Sequence, residues 1–450
     1  MMAYQTQVLP ADPSQIGRAV FADARKHSFL GQWTFELSDA EDAANLRKAA
    51  SCLREDDTPV AFPTETVYGL GADATRSSAV CAIYAAKQRP ADNPLIVHVS
   101  SISQLRKLLR HGTDMVDGDD STDDPIPPVY RALIERFWPG PLTILVPLPH
   151  PSPLAPQVTA GLPTFAVRMP SSLLALALIH LAGVPVAAPS ANASTRPSPT
   201  SAAHVLNDLS GRIGIILDGG PCEVGVESTV VDGLSNPPVI LRPGGVSLEM
   251  MRQCPGWEEV IIGYKDNSQE GVPRAPGMKY KHYSPRARVV LVERALDWKL
   301  VAKHSNPQLS IGFVATRTWG NLSIIGARPL AENSQGCNGR MEGVRLDSKA
   351  DFRSDSSTDT IFGGQLLSSA ATKLSQISIR TTCQGEPTSA WTVNLGGDTI
   401  HIARGLFSVL RGLDEKGVDV IFVEGISDKD ANAAAAIMNR LRKAADQIEY

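Results

Sequence analysis

Cysteine is sparse and unpaired in this chain of 450 residues. The six cysteines, Cys52, Cys81, Cys222, Cys254, Cys337 and Cys383, include no C-x-x-C pair. That pattern makes a poor zinc framework and a poor disulfide scaffold, so a reducing compartment is expected. Long apolar runs are missing as well. None reaches the ~18 residues of a membrane span, and no membrane partner is expected. A basic patch followed by an apolar core is absent from the first residues, so no secretory signal is expected. Neither sign of charge dominates. The 43 Lys and Arg against 47 Asp and Glu leave a net charge of −4. This argues against generic coating of nucleic acid but leaves room for a local basic cleft. Several motifs are missing. There is no G-x-x-x-x-G-K-[ST], no H-E-x-x-H and no G-x-S-x-G elbow. His98, His150, His180 and His204 have no ligand spacing, so no protein-held metal is expected.

What is present is an alternation of short apolar runs and helical patterns between Asp42 and about Gly263. Strands are expected at Val60–Phe62, Leu95–Val99, Leu142–Val146, Thr164–Val167, Val184–Ala188, Ile213–Leu217, Thr229–Val231 and Val239–Leu241. Helices are expected at Asp42–Arg54, Ser78–Ala86, Ile102–Arg110, Pro128–Phe137, Ser171–Leu181 and Ala202–Leu209. The alternation implies α/β layers. Residues 1 to 42 show no long periodic pattern and read as an extension. Its Arg18, Arg25 and Lys26 favour a mitochondrial leader, while Asp12 and Asp23 oppose it, so the cytoplasm is expected with a mitochondrial fraction as the alternative. Asp117 to Pro128 reads as an acidic surface insertion. Lys265 to about Pro285 reads as a linker carrying Tyr280, His282 and Tyr283. Beyond it, strands at Val289–Val292, Leu309–Ala315 and Val418–Val423 are expected. So are helices at Gly364–Lys373, Ile402–Lys416 and Asp430–Ala445, around a polar stretch Glu332 to Asp359. The domains expected are thus an extension to residue 42, a catalytic domain over 43–263, a linker over 264–286 and a smaller α/β domain over 287–450.

Chemistry concentrates where strands end. Pro63-Thr64-Glu65-Thr66 follows a strand and reads equally as turn chemistry or as a polar ligand contact. Gly69-Leu70-Gly71-Ala72-Asp73-Ala74 superficially fits a dinucleotide fingerprint, but the helix pattern opens only near Ser77, which counts against a nicotinamide site. Lys87-x-Arg89 sits just past a helix, where cations complement the helix end. With Pro90, Asn93 and Pro94 behind them, these cations also suit a polyphosphate, Arg as a fork and Lys as a point charge. Arg168 closes a strand and either faces a cleft or pairs with a structural carboxylate. Ser190, Asn192, Ser198, Glu227-Ser228-Thr229 and Leu241-Arg242-Pro243-Gly244 repeat the design. Together these segments describe a cleft for an anion at strand ends.

FPTETVYGLGADA, KQRPADNPLIVHV, FWPGPLTILVP, FAVRMP, PVAAPSANASTRPSPT, VESTVVD and ILRPGG, in that order, resemble the YrdC-like domain. The GMKYKHYSP linker and GVDVIFVEGI resemble the long, two-domain form of the threonylcarbamoyl-AMP synthase family. The resemblance implies a twisted, open, mixed α/β sheet with a basic concave face, then a linker and a smaller Rossmann-like domain. It implies a nucleotidyltransferase that makes threonylcarbamoyl-AMP and pyrophosphate from L-threonine, bicarbonate and ATP. Mg²⁺ is implied to be held mainly by the phosphates. A separate transferase complex then carries the group to the adenosine beside the tRNA anticodon, and a weak contact with tRNA itself is implied as an option. By resemblance Thr66, His98, Arg168, Ala188 and Ser228 contact threonine. Arg89, Asn93, Thr164, Ser190, Ser198, Arg242 and Tyr283 contact ATP. Lys87, Arg89, Ser190 and Asn192 form the catalytic signature, and the linker is a lid. The alternative is an RNA-binding module with a basic concave face and no catalysis.

Overall fold

The computed structural model describes residues 4–23, 28–110, 124–264, 282–296, 298–304, 309–319, 374–379, 388–428 and 433–450. Most of the acidic insertion, the polar stretch Glu332–Asp359, the expected helix Gly364–Lys373 and most of the linker lie outside these residues.

Eleven strands form the larger sheet. Their spatial order is Gln7–Pro10, Ile215–Asp218, Val60–Pro63, Tyr68–Asp73, Val186–Ala187, Ile96–His98, Thr164–Arg168, Leu142–Pro147, Thr229–Asp232, Val239–Arg242 and Ile261–Ile262. Pairing is mixed. Ile96–His98 runs parallel to Thr164–Arg168, Leu142–Pro147 runs antiparallel to Thr164–Arg168 but parallel to Thr229–Asp232, and Val186–Ala187 runs against both its neighbours. Side chains alternate across a strand, and the two faces differ. Val97, Val167, Ile144, Val231 and Ile240 join the main core. That core includes buried residues of the helices Glu41–Glu55, Ser77–Lys87, Leu173–Ala182 and Ala202–Leu209. Their neighbours Ile96, Ala166, Leu145, Val230 and Leu241 form a small separate apolar patch on the other face.

Two sequence expectations change. The Gly-Leu-Gly segment lies in the strand Tyr68–Asp73, antiparallel to Val60–Pro63. A Cβ on Gly71 would stand 2.7 Å from both Phe62 and Val186, so this glycine permits close packing inside the sheet rather than a loop. The extension is also structured. Gln7–Pro10 pairs in parallel with Ile215–Asp218, and Gly17–Phe21 forms an antiparallel pair with Trp33–Leu37. Gln7, Val8 and Pro10 are exposed, so the edge strand shows no in-out alternation in sequence.

The second sheet has six strands in the order Ser375–Ile379, Thr388–Asn394, Ile311–Ala315, Val420–Glu424, Arg288–Val292 and Gln447–Glu449. All pairs are parallel except the first, as a Rossmann-like reading requires. Buried side chains of the helix Trp298–His304 join the core on one face. The helices Thr399–Glu415 and Ala434–Ala444 supply the core on the other. That second core also takes in Val67 and Val226 from the larger sheet's loops and Tyr283 from the linker. The two halves therefore share apolar interior.

Candidate active site

The Thr64 hydroxyl builds the PTET turn. It donates to the Val67 carbonyl at 2.7 Å and accepts the N–H groups of Thr66 and Val67 at 3.2 and 3.3 Å. Thr66 lies within reach of Arg168, whose Nη1 donates to its Oγ1 at 2.9 Å. The remaining Arg168 nitrogens donate to the Gly140 carbonyl at 3.1 Å and to Glu65. Arg168 thus satisfies both sequence readings, because it pairs with a buried carboxylate and also lines a cavity. Glu65 Oε2 is buried with no hydrogen-bond partner.

That cavity, of about 50 Å³, opens on the face of the mixed sheet that carries the small apolar patch. It sits at strand ends, where His98, Arg168 and Arg242 are the last residues of their strands, and Gly69 and Ile96 extend it onto the sheet. Thr66, Arg89, His98, Arg168, Ala188, Ser190, Ser228, Arg242 and Tyr283 all line it, as expected. Thr64, Val67, Pro189, Glu227 and His282 complete the wall; Thr64, Glu227 and His282 stand in motifs marked in sequence, whereas Val67 and Pro189 had no role there. Burial, followed by the charge of Arg168, pushes the His98 imidazole down to about 3, so the ring is neutral at physiological pH. Arg242 donates through Nε to the Ser228 carbonyl and through Nη2 to the Ser228 hydroxyl, both at 3.1 Å. Burial lowers Arg242 to about 10, which leaves it a cation at neutral pH. Gly244 follows closely. An added Cβ there would stand 2.2 Å from the Thr229 nitrogen, so only glycine lets the segment after Arg242 lie against Ser228.

Five expected site residues are not on the cavity wall. Lys87 is buried, and its ammonium donates to the Ser190 carbonyl and, at 2.6 Å, to the Asn192 carbonyl. Burial, then the charge of Arg89, pushes it well below the ordinary lysine range. It props the Ser-Ala-Asn loop rather than facing the cavity. Asn192 caps the same loop, accepting the Ser190 hydroxyl at 2.6 Å and donating to the Ala193 and Arg196 carbonyls at 2.8 and 2.9 Å. The Ser198 hydroxyl is spent on Glu227. The Asn93 carbonyl takes the Tyr84 hydroxyl at 2.9 Å and Arg89 Nε at 3.4 Å. Thr164 begins the strand that Arg168 ends, about 13 Å away at strand rise.

His282 and Tyr283, in the described end of the linker, form one wall of the cavity. Ser284 N–H donates to the Thr195 carbonyl at 2.8 Å, and His282 N–H to the Lys443 carbonyl at 3.1 Å. Tyr283 takes the left-handed backbone at φ 64° and stacks on Phe407 at 5.4 Å between ring centres. Glu227 is the cavity's acid. Burial works to raise its carboxyl, but the guanidiniums of Arg440 and Arg242 and the Ser198 hydroxyl outweigh it and hold the group below its ordinary value.

Among known proteins, a family model described as "Telomere recombination" matches residues 52–244, and one described as "Threonylcarbamoyl-AMP synthase, C-terminal domain" matches residues 246–446. The threonylcarbamoyl-AMP synthase of Schizosaccharomyces pombe is 44% identical over 435 residues, covering 92% of this chain and 91% of that one. The Bacillus subtilis threonylcarbamoyl-AMP synthase is 38% identical over 418 residues, covering 92% and 97%. The solved structure of Pyrococcus abyssi Sua5 complexed with L-threonine is 36% identical, with a TM-score of 0.65 over 92% of this chain and 97% of that one.

Proposed function

The chain belongs to the threonylcarbamoyl-AMP synthase family, and from that premise we propose how its cavity joins L-threonine, bicarbonate and ATP. One observation carries the reading. Arg89, Arg168 and Arg242 meet the hydroxyls of Thr66, Ser190 and Ser228 around a single pocket that also holds a neutral histidine.

The threonine amine takes up carbon dioxide, in equilibrium with bicarbonate, as an N-carboxylate. One oxygen of that group attacks the α-phosphorus of ATP, the bond to the bridging oxygen breaks, and pyrophosphate leaves. Both partners are anionic, so fixed cations must neutralise the charge as they approach. Arg89 and Arg242 take the phosphates. Arg168, already aligned by Glu65 and Thr66, takes the threonine carboxylate as a forked donor. Thr66 and Ser228 offer hydroxyls to the substrate's polar groups, and His98 and Ala188 shape its seat. Lys87, Asn192 and Ser198 hold the wall, and Asn93 and Thr164 mark the nucleotide's course outside the closed cavity.

His282 and Tyr283 wall the pocket from the linker side and, with the nucleotide in place, exclude water from a carbamoyl intermediate that hydrolyses readily. The carboxylates near the pocket are engaged, Glu65 by Arg168 and Glu227 by Arg440, and the lining is cationic. Among the described residues no acid or histidine cluster suits a metal; Mg²⁺ would be held by the nucleotide's own phosphates and would supply further neutralisation of their charge. The product passes to a separate tRNA transferase in the cytoplasm or, for a fraction, the mitochondrion. No helix among the described residues is long and apolar enough to cross a membrane. The reading as an RNA-binding face without catalysis is set aside, because relatives named as synthases match nine-tenths of the chain.

The test is pyrophosphate release from ATP by the full chain. Release that needs both threonine and bicarbonate is expected. Release independent of either substrate, or none at all, would reject the reading.

A further inference from the structure

We infer that Arg440, a residue of the C-terminal domain, is a positioning residue that fixes two walls of the active-site cavity, Glu227 and Tyr283. The inference rests on the synthase reading above. Arg440 is carried on the helix Ala434–Ala444 and is fully buried. Its Nε donates to Glu227 Oε2 at 2.9 Å. Its Nη1 donates at 2.6 Å to the carbonyl of Pro243, the residue after Arg242. The guanidinium carbon also stands 5.5 Å from the centre of the Tyr283 ring. One side chain from the second domain therefore touches the acid, the lid and the segment that carries a phosphate-binding arginine.

Interdomain adhesion alone does not account for this placement. Other contacts already join the halves at points that do not line the cavity. Arg411 meets Asp208 at 2.8 Å, Ser408 meets Thr200 at 2.9 Å, and Arg404 donates to the Glu223 carbonyl at 2.7 Å. A buried ion pair contributes little net stability after desolvation, but it fixes geometry when its hydrogen bonds are complete. On the acid's side that condition is met, because the other Glu227 oxygen accepts the Ser198 hydroxyl, while Arg440 Nη2 is buried without a hydrogen-bond partner. The carboxylate is held from both domains at once, and a displacement of about 1 Å at such a wall costs about 10²-fold in rate.

The experiment uses the full chain and measures kcat and KM for threonine and for ATP by pyrophosphate release. The variants are Arg440→Met, Glu227→Gln, the double variant and, as a control, Arg404→Ala. Arg440→Met is expected to lower kcat/KM by about 10-fold or more, while Arg404→Ala, which loosens the interface away from the cavity, leaves it unchanged. The single Arg440 variant strands a buried charge and can fail to fold. The double variant removes that charge, and its melting curve shows that it is folded. Because both residues act on one wall, the double loss should equal that of the worse single variant rather than their product. A folded double variant with wild-type kcat/KM overturns the inference, as do losses that multiply. If the wild-type chain itself shows no threonine-dependent release, the synthase reading has failed, and the outcome is distinct.

Discussion

Arg89 and Lys87 are two residues apart in one short motif, yet they face different demands. Arg89 is half-buried on the cavity wall. Arg89→Ala should lower kcat/KM for pyrophosphate release by about 10²-fold, as when a charge partner of the transition state is lost, with little change in melting temperature. Lys87 is buried and spends its ammonium on the Ser190 and Asn192 carbonyls. Lys87→Met should therefore lower activity and melting temperature together, and measuring both quantities for both variants separates the roles. A Lys87→Met enzyme with wild-type stability and no activity would return the lysine to the phosphates. At this scale the strand-end arginines and hydroxyls were legible, because cations and small polar residues directly after apolar runs are a local pattern. The pairing of the carboxylates was not. Glu65 is 103 positions from its arginine, and Glu227 is 213 from Arg440. Nothing local marks an acid whose partner arrives from so far along the chain.

Elements read well where periodicity was strong and poorly where glycine intervened. The helices Ser77–Lys87 and Ala202–Leu209 lie within a residue of their expected bounds. The strand Tyr68–Asp73 was hidden because its glycines resemble turn punctuation while serving close packing. The linker is the instructive case. The resemblance implied a lid, an element that need not pack into a core. The structure instead buries Tyr283 against Phe407 and Arg440 and holds it in a left-handed backbone that a tyrosine rarely adopts. Tyr283→Ala should thus reduce turnover and also destabilise the protein by about 3–5 kcal/mol, the range for removing a buried aromatic ring. Tyr283→Phe keeps the packing and isolates the hydroxyl. Turnover and denaturant midpoints of the two variants decide the matter, and normal turnover by Tyr283→Ala would remove the lid.

Across the whole molecule, ion pairs differ in value according to where they lie. Arg411 and Asp208 are fully buried between the halves, while Arg18 and Glu36 sit in solvent on the short hairpin. Arg411→Met removes one of the two guanidiniums on the buried Asp208 carboxylate, Arg196 remaining at 2.7 Å, and should cost about 1–3 kcal/mol. Arg18→Ala should cost less than about 1 kcal/mol. Chemical denaturation of the two variants checks the contrast, and equal losses would mean that the interface does not bear on stability. The α/β class was legible from alternation alone. The order of the strands was not, since most sheet neighbours are remote in sequence, local pairs such as Val60–Pro63 with Tyr68–Asp73 aside. One such neighbour constrains how the polypeptide can be processed. Gln7–Pro10 is the outermost member of the large sheet, tied along Ile215–Asp218, while Thr6 bonds to the Ile213 carbonyl at 2.6 Å. A maturation protease cutting downstream of Pro10 would strip this border and leave the freed hydrogen-bonding groups of Ile215–Asp218 open to association with other chains.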